Sequence, residues 1–298
     1  MMTAPMQPML RGELRLNESL GRYNTWRVGG AAAQMYLPAD ADDLAQFLRT
    51  LPADEPLLWL GLGSNLLIRD GGFPGTVILL HGCLSGLLIE GTEAHVDAGV
   101  PCAKVARECA RAGLTGAAFL AGIPGTMGGA LAMNAGAFGG ETWPIVGSVT
   151  TIDRGGVMHR RLPDDFEVGY RQVLGPAGEW FLACTLNLAQ GDGTAEQAAI
   201  RALLERRGAT QPTGQPSCGS TFRNPPGDHA ARLIEVSGLK GCRVGGAEVS
   251  AKHANFIINT GDASAADIEG LIAHVAAEVE RLQGVTLRTE VQMVGEPL

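Results

Sequence analysis

Apolar and polar positions change their period several times along the chain, and each change marks an element. After Pro56 comes Leu57-Leu58-Trp59-Leu60, a short unbroken apolar run that reads as a buried strand, leading directly into a glycine turn at Gly61 and Gly63. Residues 76–80 and 94–98 read as further short strands. Pro101 suits the first position of a helix that Gly113 ends. Strand-like runs follow at 145–152, 157–162 and 180–188, then a polar, glycine-containing break at 190–194 and a short helix over 195–207 stopped by Gly208.

The C-terminal part mixes both periods. Residues 230–236 form a helical stretch ending near Gly238, and 255–259 a strand. Ser264 with Asp267 three residues on gives a capping-box start to a long helix. Its apolar face is Ile268, Leu271, Ile272, Val275, Val279 and Leu282, and Gly284 ends it. The final segment alternates, with Val285, Leu287 and Val291 on one face and Arg288, Glu290 and Gln292 on the other. That pattern points the Glu290 carboxylate away from the core, toward solvent or a cleft.

Composition narrows the function classes. The net charge of −8 argues against a nucleic-acid partner. The longest uncharged stretch, 112–140, is broken by Pro124-Gly125 and Gly128-Gly129, which disfavours a membrane-spanning helix. No basic segment followed by an apolar run opens the chain, so a cytoplasmic protein without a signal peptide is expected. The six cysteines lack metal-type spacing and read as reduced, mostly buried thiols. Glycine is abundant, at 42 residues, and clusters between apolar runs as loop chemistry.

Four segments carry candidate chemistry. Gly61-Leu62-Gly63-Ser64-Asn65-Leu66-Leu67 follows a strand, and is either an ordinary strand-end turn or a nest of N–H groups for an anion. Gly122-Ile123-Pro124-Gly125-Thr126-Met127-Gly128-Gly129-Ala130, continuing to Met133-Asn134-Ala135-Gly136-Ala137, matches neither a P-loop nor the Gly-x-Gly-x-x-Gly spacing. It is either a tight helix contact or a diphosphate cradle working through backbone donors and a helix start. Residues 216–225 crowd turn-formers around Ser220 without a Gly-x-Ser-x-Gly elbow, so serine-hydrolase chemistry is not indicated. From Ser217 to Thr260 there are five Lys/Arg against three Asp/Glu, a local +2 in a chain otherwise at −10. That reversal fits an anionic ligand or a solvated face. Only three lysines occur, Lys104, Lys240 and Lys252, and two of them fall in this segment.

Taken in order, Asn24-Thr25-Trp26-Arg27-Val28-Gly29-Gly30, the Gly61–Leu67 turn, the 123–137 run, Tyr170-Arg171, Gly219-Ser220 and Glu290 resemble the UDP-N-acetylenolpyruvoylglucosamine reductase family. The resemblance spans residue 17 to the C-terminus. It implies an α+β fold: a vanillyl-alcohol-oxidase-type FAD-binding domain over 17–191, with subdomains of about 17–76 and 77–191, followed by a substrate domain over 192–298 whose last strand can return to the first. It implies non-covalent FAD held by Arg27, Gly61, Gly63, Ser64, Asn65, Leu66, Ile123, Pro124, Gly125, Gly128, Gly129, Asn134, Ala135 and Gly136, with NADPH as hydride donor. Arg171, Ser220 and Glu290 take the catalytic roles by the same similarity. Tyr170, Asn224, Lys240 and Lys252 fall where similar enzymes contact the nucleotide sugar.

One departure stands out. The 48 residues between Arg171 and Ser220 contain no tyrosine, so the chain resembles the shorter class, without the inserted segment whose tyrosine folds over the substrate. An alcohol or sugar oxidase of the same fold would explain the two glycine segments but not the pairing of Ser220 with Glu290. A non-catalytic binder of flavin or nucleotide sugar is the third reading.

Overall fold

The computed structural model describes residues 10–298. Six α-helices occur among them: α1 Ala41–Leu48, α2 Cys102–Arg111, α3 Met127–Met133, α4 Gly193–Thr210, α5 Ala230–Val236 and α6 Ala265–Gln283.

The first unit is a four-stranded sheet in the order Glu13–Ser19, Ala31–Leu37, Phe73–Leu79, Leu57–Leu60. The first pairing is antiparallel and the other two are parallel, in register at Gln34/Thr76 and Leu57/Thr76. Asp40 caps α1 by accepting the Asp43 amide at 2.9 Å. The second unit is a five-stranded antiparallel sheet in the order Met158–Arg161, Val146–Asp153, Glu179–Asn187, Glu93–Asp97, Leu87–Glu90. Its core joins Val105 and Cys109 of α2, Met127 and Leu131 of α3, and Leu186 of the sheet.

The C-terminal part packs α5 and α6 on a small sheet of Arg243–Val244, Ala247–Val249 and Ile257–Asn259. The capping box at α6 is complete: Ser264 Oγ accepts the Asp267 amide and the Asp267 carboxylate accepts the Ser264 amide, both at 3.0 Å. Gly284 closes the helix at φ 68°.

Several expectations need correction. Strand Phe73–Leu79 crosses residue 76 and strand Glu13–Ser19 includes residue 17, the bounds proposed for the first subdomain. Helix α4 continues through Gly208, which keeps helical φ, and ends just before Pro212. Its buried residue, Ile200, packs with the core of the second unit. The final alternation is correct in burial, with Leu287 and Val291 inside. The ladder itself starts only at Gln292, because the preceding residues face a loop and make a single bridge, Thr289 to Phe222.

The N-terminal and C-terminal parts are joined by main-chain and side-chain links. Strand Gln292–Val294 pairs in parallel with Leu66–Ile68. Both Asp70 carboxylate oxygens cap α6 by accepting the Ala265 and Ala266 amides at 2.9 Å. Arg69 forms a two-point ion pair with Glu269 at 2.8 and 2.9 Å. Trp26 has no exposed surface and lies in the C-terminal core with Phe222, Ile257 and Leu271. Its indole N–H donates to the Ile257 carbonyl at 2.8 Å, and Asn259 donates to the Trp26 carbonyl at 2.8 Å. Among the described residues no helix is long and apolar enough to cross a membrane, and no His/Cys/Asp/Glu group has metal-site geometry. The six cysteines are free, four of them buried.

Trp26→Ala is expected to cost about 3–5 kcal/mol, the usual loss for a fully buried tryptophan. Urea unfolding followed by circular dichroism checks it. A loss under about 1 kcal/mol would show that the loop does not fasten the two parts.

Candidate active site

Two cavities, of about 740 and 430 Å³, run between the glycine segments and the C-terminal part. They share Gly61, Leu62, Ser64, Pro124, Arg207, Gln211, Gly219 and Phe256, and so form one continuous cleft. The smaller end is lined by Gly61, Gly63, Ser64, Asn65, Leu66, Ile123, Pro124, Gly125, Gly129, Ala135, Gly136, Arg171, Ser220 and Glu290. Most of the residues singled out in the sequence therefore meet on one surface.

The first glycine segment follows strand Leu57–Leu60 and turns at Gly63, φ 59°. A β-carbon at Gly63 would meet Asn24 Cα at 2.7 Å, so glycine is required both by conformation and by space. Among the described residues no acceptor in the chain receives the amides of Leu62, Gly63, Ser64 and Asn65. Successive free N–H groups on a glycine turn are what a diphosphate needs.

The second segment offers fewer donors. Helix α3 has seven residues, and its first two amides, Met127 and Gly128, are taken by the carbonyls of Val100 and Ala98. Gly128 does not line the cleft; a β-carbon there would sit 2.9 Å from that of Ala98, so its smallness serves packing. Gly129 faces open space within the cleft, and a β-carbon at Gly125 would lie 3.4 Å from Ser64 Oγ on the opposing segment.

Asn134 is buried at the end of α3 with φ 41°. Its side chain donates to Glu141 and to the Gly169 carbonyl and accepts from the Trp143 amide. That fastens the hairpin Glu167–Gly169 and Gln172–Leu174, whose tip carries Tyr170 and Arg171. Arg171 sits at φ 56°, with Nη1 3.4 Å from the Asn134 carbonyl and Nη2 3.3 Å from that of Gly136. Its Nε lies 2.7 Å from Glu290 Oε1, though the N–H is not aimed at that oxygen.

Glu290 arrives from the other end of the chain. Its amide donates to the Thr221 carbonyl at 2.8 Å, its carbonyl accepts from the Asn65 side chain at 3.2 Å, and the Gln292 amide donates to the Asn65 carbonyl at 3.0 Å. Burial raises the Glu290 carboxyl above the usual range, while Arg171, and more weakly Arg223, oppose the shift. Ser220 stands on the same strip, between Gly219 at φ 72° and Thr221.

Other expected residues lie apart. Arg27 is exposed at φ 61° and lines the larger cavity with Arg22 and His81. Tyr170 is exposed, with the Arg171 guanidinium 5.3 Å from its ring centre. Asn224 accepts the Ala230 amide at the start of α5. Lys240 pairs with Glu235 at 2.7 Å, and Lys252 donates to the Gly208 carbonyl.

Arg207 went unrecognised in the sequence. It lies near the end of α4, lines both ends of the cleft, and bonds only to neutral Gln211 at 3.1 Å. Burial without a carboxylate partner depresses its pKa. Nothing in the sequence separates it from exposed neighbours such as Arg206.

Residues 211–294 match the model of the UDP-N-acetylenolpyruvoylglucosamine reductase C-terminal domain, and 32–161 match an FAD binding domain. The UDP-N-acetylenolpyruvoylglucosamine reductase of Alkalilimnicola ehrlichii is 63% identical over 285 residues, 96% of each chain. That of Methylococcus capsulatus is 61% identical over 96% of this chain and 94% of its own.

The chain belongs to the UDP-N-acetylenolpyruvoylglucosamine reductase family.

The solved structure of UDP-N-acetylenolpyruvylglucosamine reductase from Thermus caldophilus superposes with TM-score 0.82 at 34% identity, covering 96% of this chain and 99% of that one. 6-Hydroxy-D-nicotine oxidase from Arthrobacter nicotinovorans, 15% identical, shares the fold with TM-score 0.57 over 95% of this chain and 88% of its own. As a member of the reductase family the chain is an FAD-dependent oxidoreductase with NADPH as hydride donor. The free amides at 62–65, the uncharged wall at 123–137 and the continuous cleft fit the flavin.

Gly129 and Gly128 now part company. Gly129→Val is expected to fold with near wild-type thermal stability but to purify with little flavin absorbance. Gly128→Val is expected to lower thermal stability through its clash with Ala98. Full flavin occupancy in Gly129→Val would remove that wall of the cleft from the cofactor site.

Proposed function

We propose that the cleft performs the family's reaction, reduction of the enolpyruvyl group of UDP-N-acetylenolpyruvoylglucosamine, through Arg171, Ser220 and Glu290. The observation that carries this reading is their convergence at one end of the cleft, next to both glycine segments, from three distant parts of the chain. FAD, when bound, supplies the chemistry that accepts hydride from NADPH and passes it to the substrate's terminal carbon. The amides of 62–65 hold its diphosphate, with the Gly129 amide opposite and the half-buried Arg207 lining the same cleft. Arg27 and the larger cavity receive the remainder of the cofactor.

The chain's own groups do the rest. Negative charge develops on the carbon next to the carboxylate and on the carboxylate itself. The Arg171 guanidinium, fixed by two carbonyls, offers it a cation. Glu290 donates a hydrogen bond when protonated, the state its burial favours. Ser220 gives a proton to that carbon and completes reduction of the double bond. The product is a nucleotide sugar with a lactyl ether, the precursor chemistry of peptidoglycan. Tyr170 adjoins Arg171 at the hairpin tip, and Asn224, Lys240 and Lys252 are assigned to the nucleotide sugar by the family resemblance. For either lysine to reach the nucleotide it must exchange its present partner, Glu235 or the Gly208 carbonyl.

Ser220→Ala separates the two half-reactions. Bleaching of the flavin by NADPH should stay near the wild-type rate. Reoxidation by the enolpyruvyl substrate should slow by ~10²–10⁴-fold, the usual worth of a placed proton donor. Anaerobic stopped-flow absorbance measures both. Equal damage to the two steps, or normal reoxidation, would rule out Ser220 as the donor.

A further inference from the structure

Arg171 is paired with a carboxylate of its own chain. Nε stands 2.7 Å from Glu290 Oε1, and only 19% and 15% of the two side chains is exposed. Resting on the catalytic reading above, we propose that the substrate's carboxylate displaces Glu290 from Arg171, and that Glu290 takes up one proton from solvent as it does so.

Charge conservation in a secluded site carries the proposal. The Arg171–Glu290 pair is neutral as a unit. A third charge, the substrate carboxylate, would leave a net negative charge beside two side chains largely shielded from solvent, which is costly. One proton on Glu290 restores neutrality: guanidinium against the substrate carboxylate, beside an uncharged acid. The guanidinium cannot simply turn to serve both, because Nη1 and Nη2 face the Asn134 and Gly136 carbonyls. The exchange also produces the form of Glu290 that donates during hydride transfer.

The other groups around Glu290 do not remove the need for the proton. Cys218 is buried and its thiol is pushed far toward the protonated form. Asn65 is neutral and bonds the Glu290 carbonyl, and Ser220 is neutral. Arg207 lines the same cleft but is not among the cations that act on Glu290, which leaves Arg223. It does not line the cleft, is partly exposed, and has the weakest of the named effects on Glu290. Burial already raises the Glu290 carboxyl, and Arg171 is the main group opposing it. Diverting Arg171 to another carboxylate lifts that opposition.

The sign follows. Below the pKa of Glu290 in the free protein the proton is already present and binding takes up none. Above it, while the bound form stays protonated, uptake approaches one proton and affinity falls about tenfold per pH unit. Titration calorimetry of the oxidised, flavin-loaded protein in buffers of different ionisation enthalpy measures this directly, without turnover. The enolpyruvyl nucleotide sugar should take up about one proton per site on the alkaline side. UDP-N-acetylglucosamine, which keeps the diphosphate but lacks the carboxylate, should take up about none. Glu290→Gln should bind the enolpyruvyl compound with no uptake, and its affinity should be flat with pH. Absence of uptake at every pH, equal uptake with UDP-N-acetylglucosamine, or undiminished uptake in Glu290→Gln overturns the proposal. If neither compound binds or perturbs the flavin absorbance, the catalytic reading of the cleft falls, and this inference with it.

Discussion

The whole site depends on the return of the chain's last segment to the first glycine turn. Asn65 accepts the Gln292 amide with its carbonyl and donates through its side chain to the Glu290 carbonyl. The parallel ladder at 292–294 then extends strand Leu66–Ile68. Without that clamp Glu290 has no reason to stand beside Arg171, which hangs from a hairpin tied to the second glycine segment. A backbone ladder positions better than side chains alone, because each bond fixes both register and direction. The remaining links, Trp26 in the C-terminal core and Asp70 at the start of α6, hold the two parts in the relation that this ladder requires.

Electrostatics divides the cleft into two kinds of surface. The cradle is uncharged from 112 to 140, and its free amides supply partial positive charge without the desolvation penalty of a buried lysine. The other end holds a compensated ion pair, Arg171 with Glu290, whose carboxyl is raised by burial. Arg207 lines both ends of the cleft as a half-buried cation with a neutral partner. Under the proposed function this arrangement accommodates a dianionic cofactor linkage at one point and an anionic substrate group at another, with little net charge of its own.

Much of this was legible in the sequence, for physical reasons that differ from element to element. The capping box at Ser264, the stop at Gly284 and the alternation around Glu290 are local chemistry, and local patterns transmit them. The glycine segments were legible as loops, but their separate duties were not. Gly128 packs against Ala98 while Gly129 opens to the cleft, a distinction set by the tertiary neighbour. The end of α4 was misplaced because a single interior glycine is tolerated when the helix is bonded on both sides of it. Arg207 was invisible because burial of one arginine among several depends on the long cleft, which no local period encodes. The lysines at 240 and 252 stand in a local charge bias and take their place at the nucleotide sugar from the resemblance; in the structure they meet a protein carboxylate and a carbonyl.

The most direct test of the account is anaerobic mixing of the purified flavin-loaded protein with NADPH, then with UDP-N-acetylenolpyruvoylglucosamine, while flavin absorbance is recorded. The account predicts bleaching in the first step, full recovery of the oxidised spectrum in the second, and formation of the lactyl ether product in amount equal to the flavin reoxidised. A flavin that NADPH bleaches but the enolpyruvyl nucleotide sugar leaves reduced would contradict it.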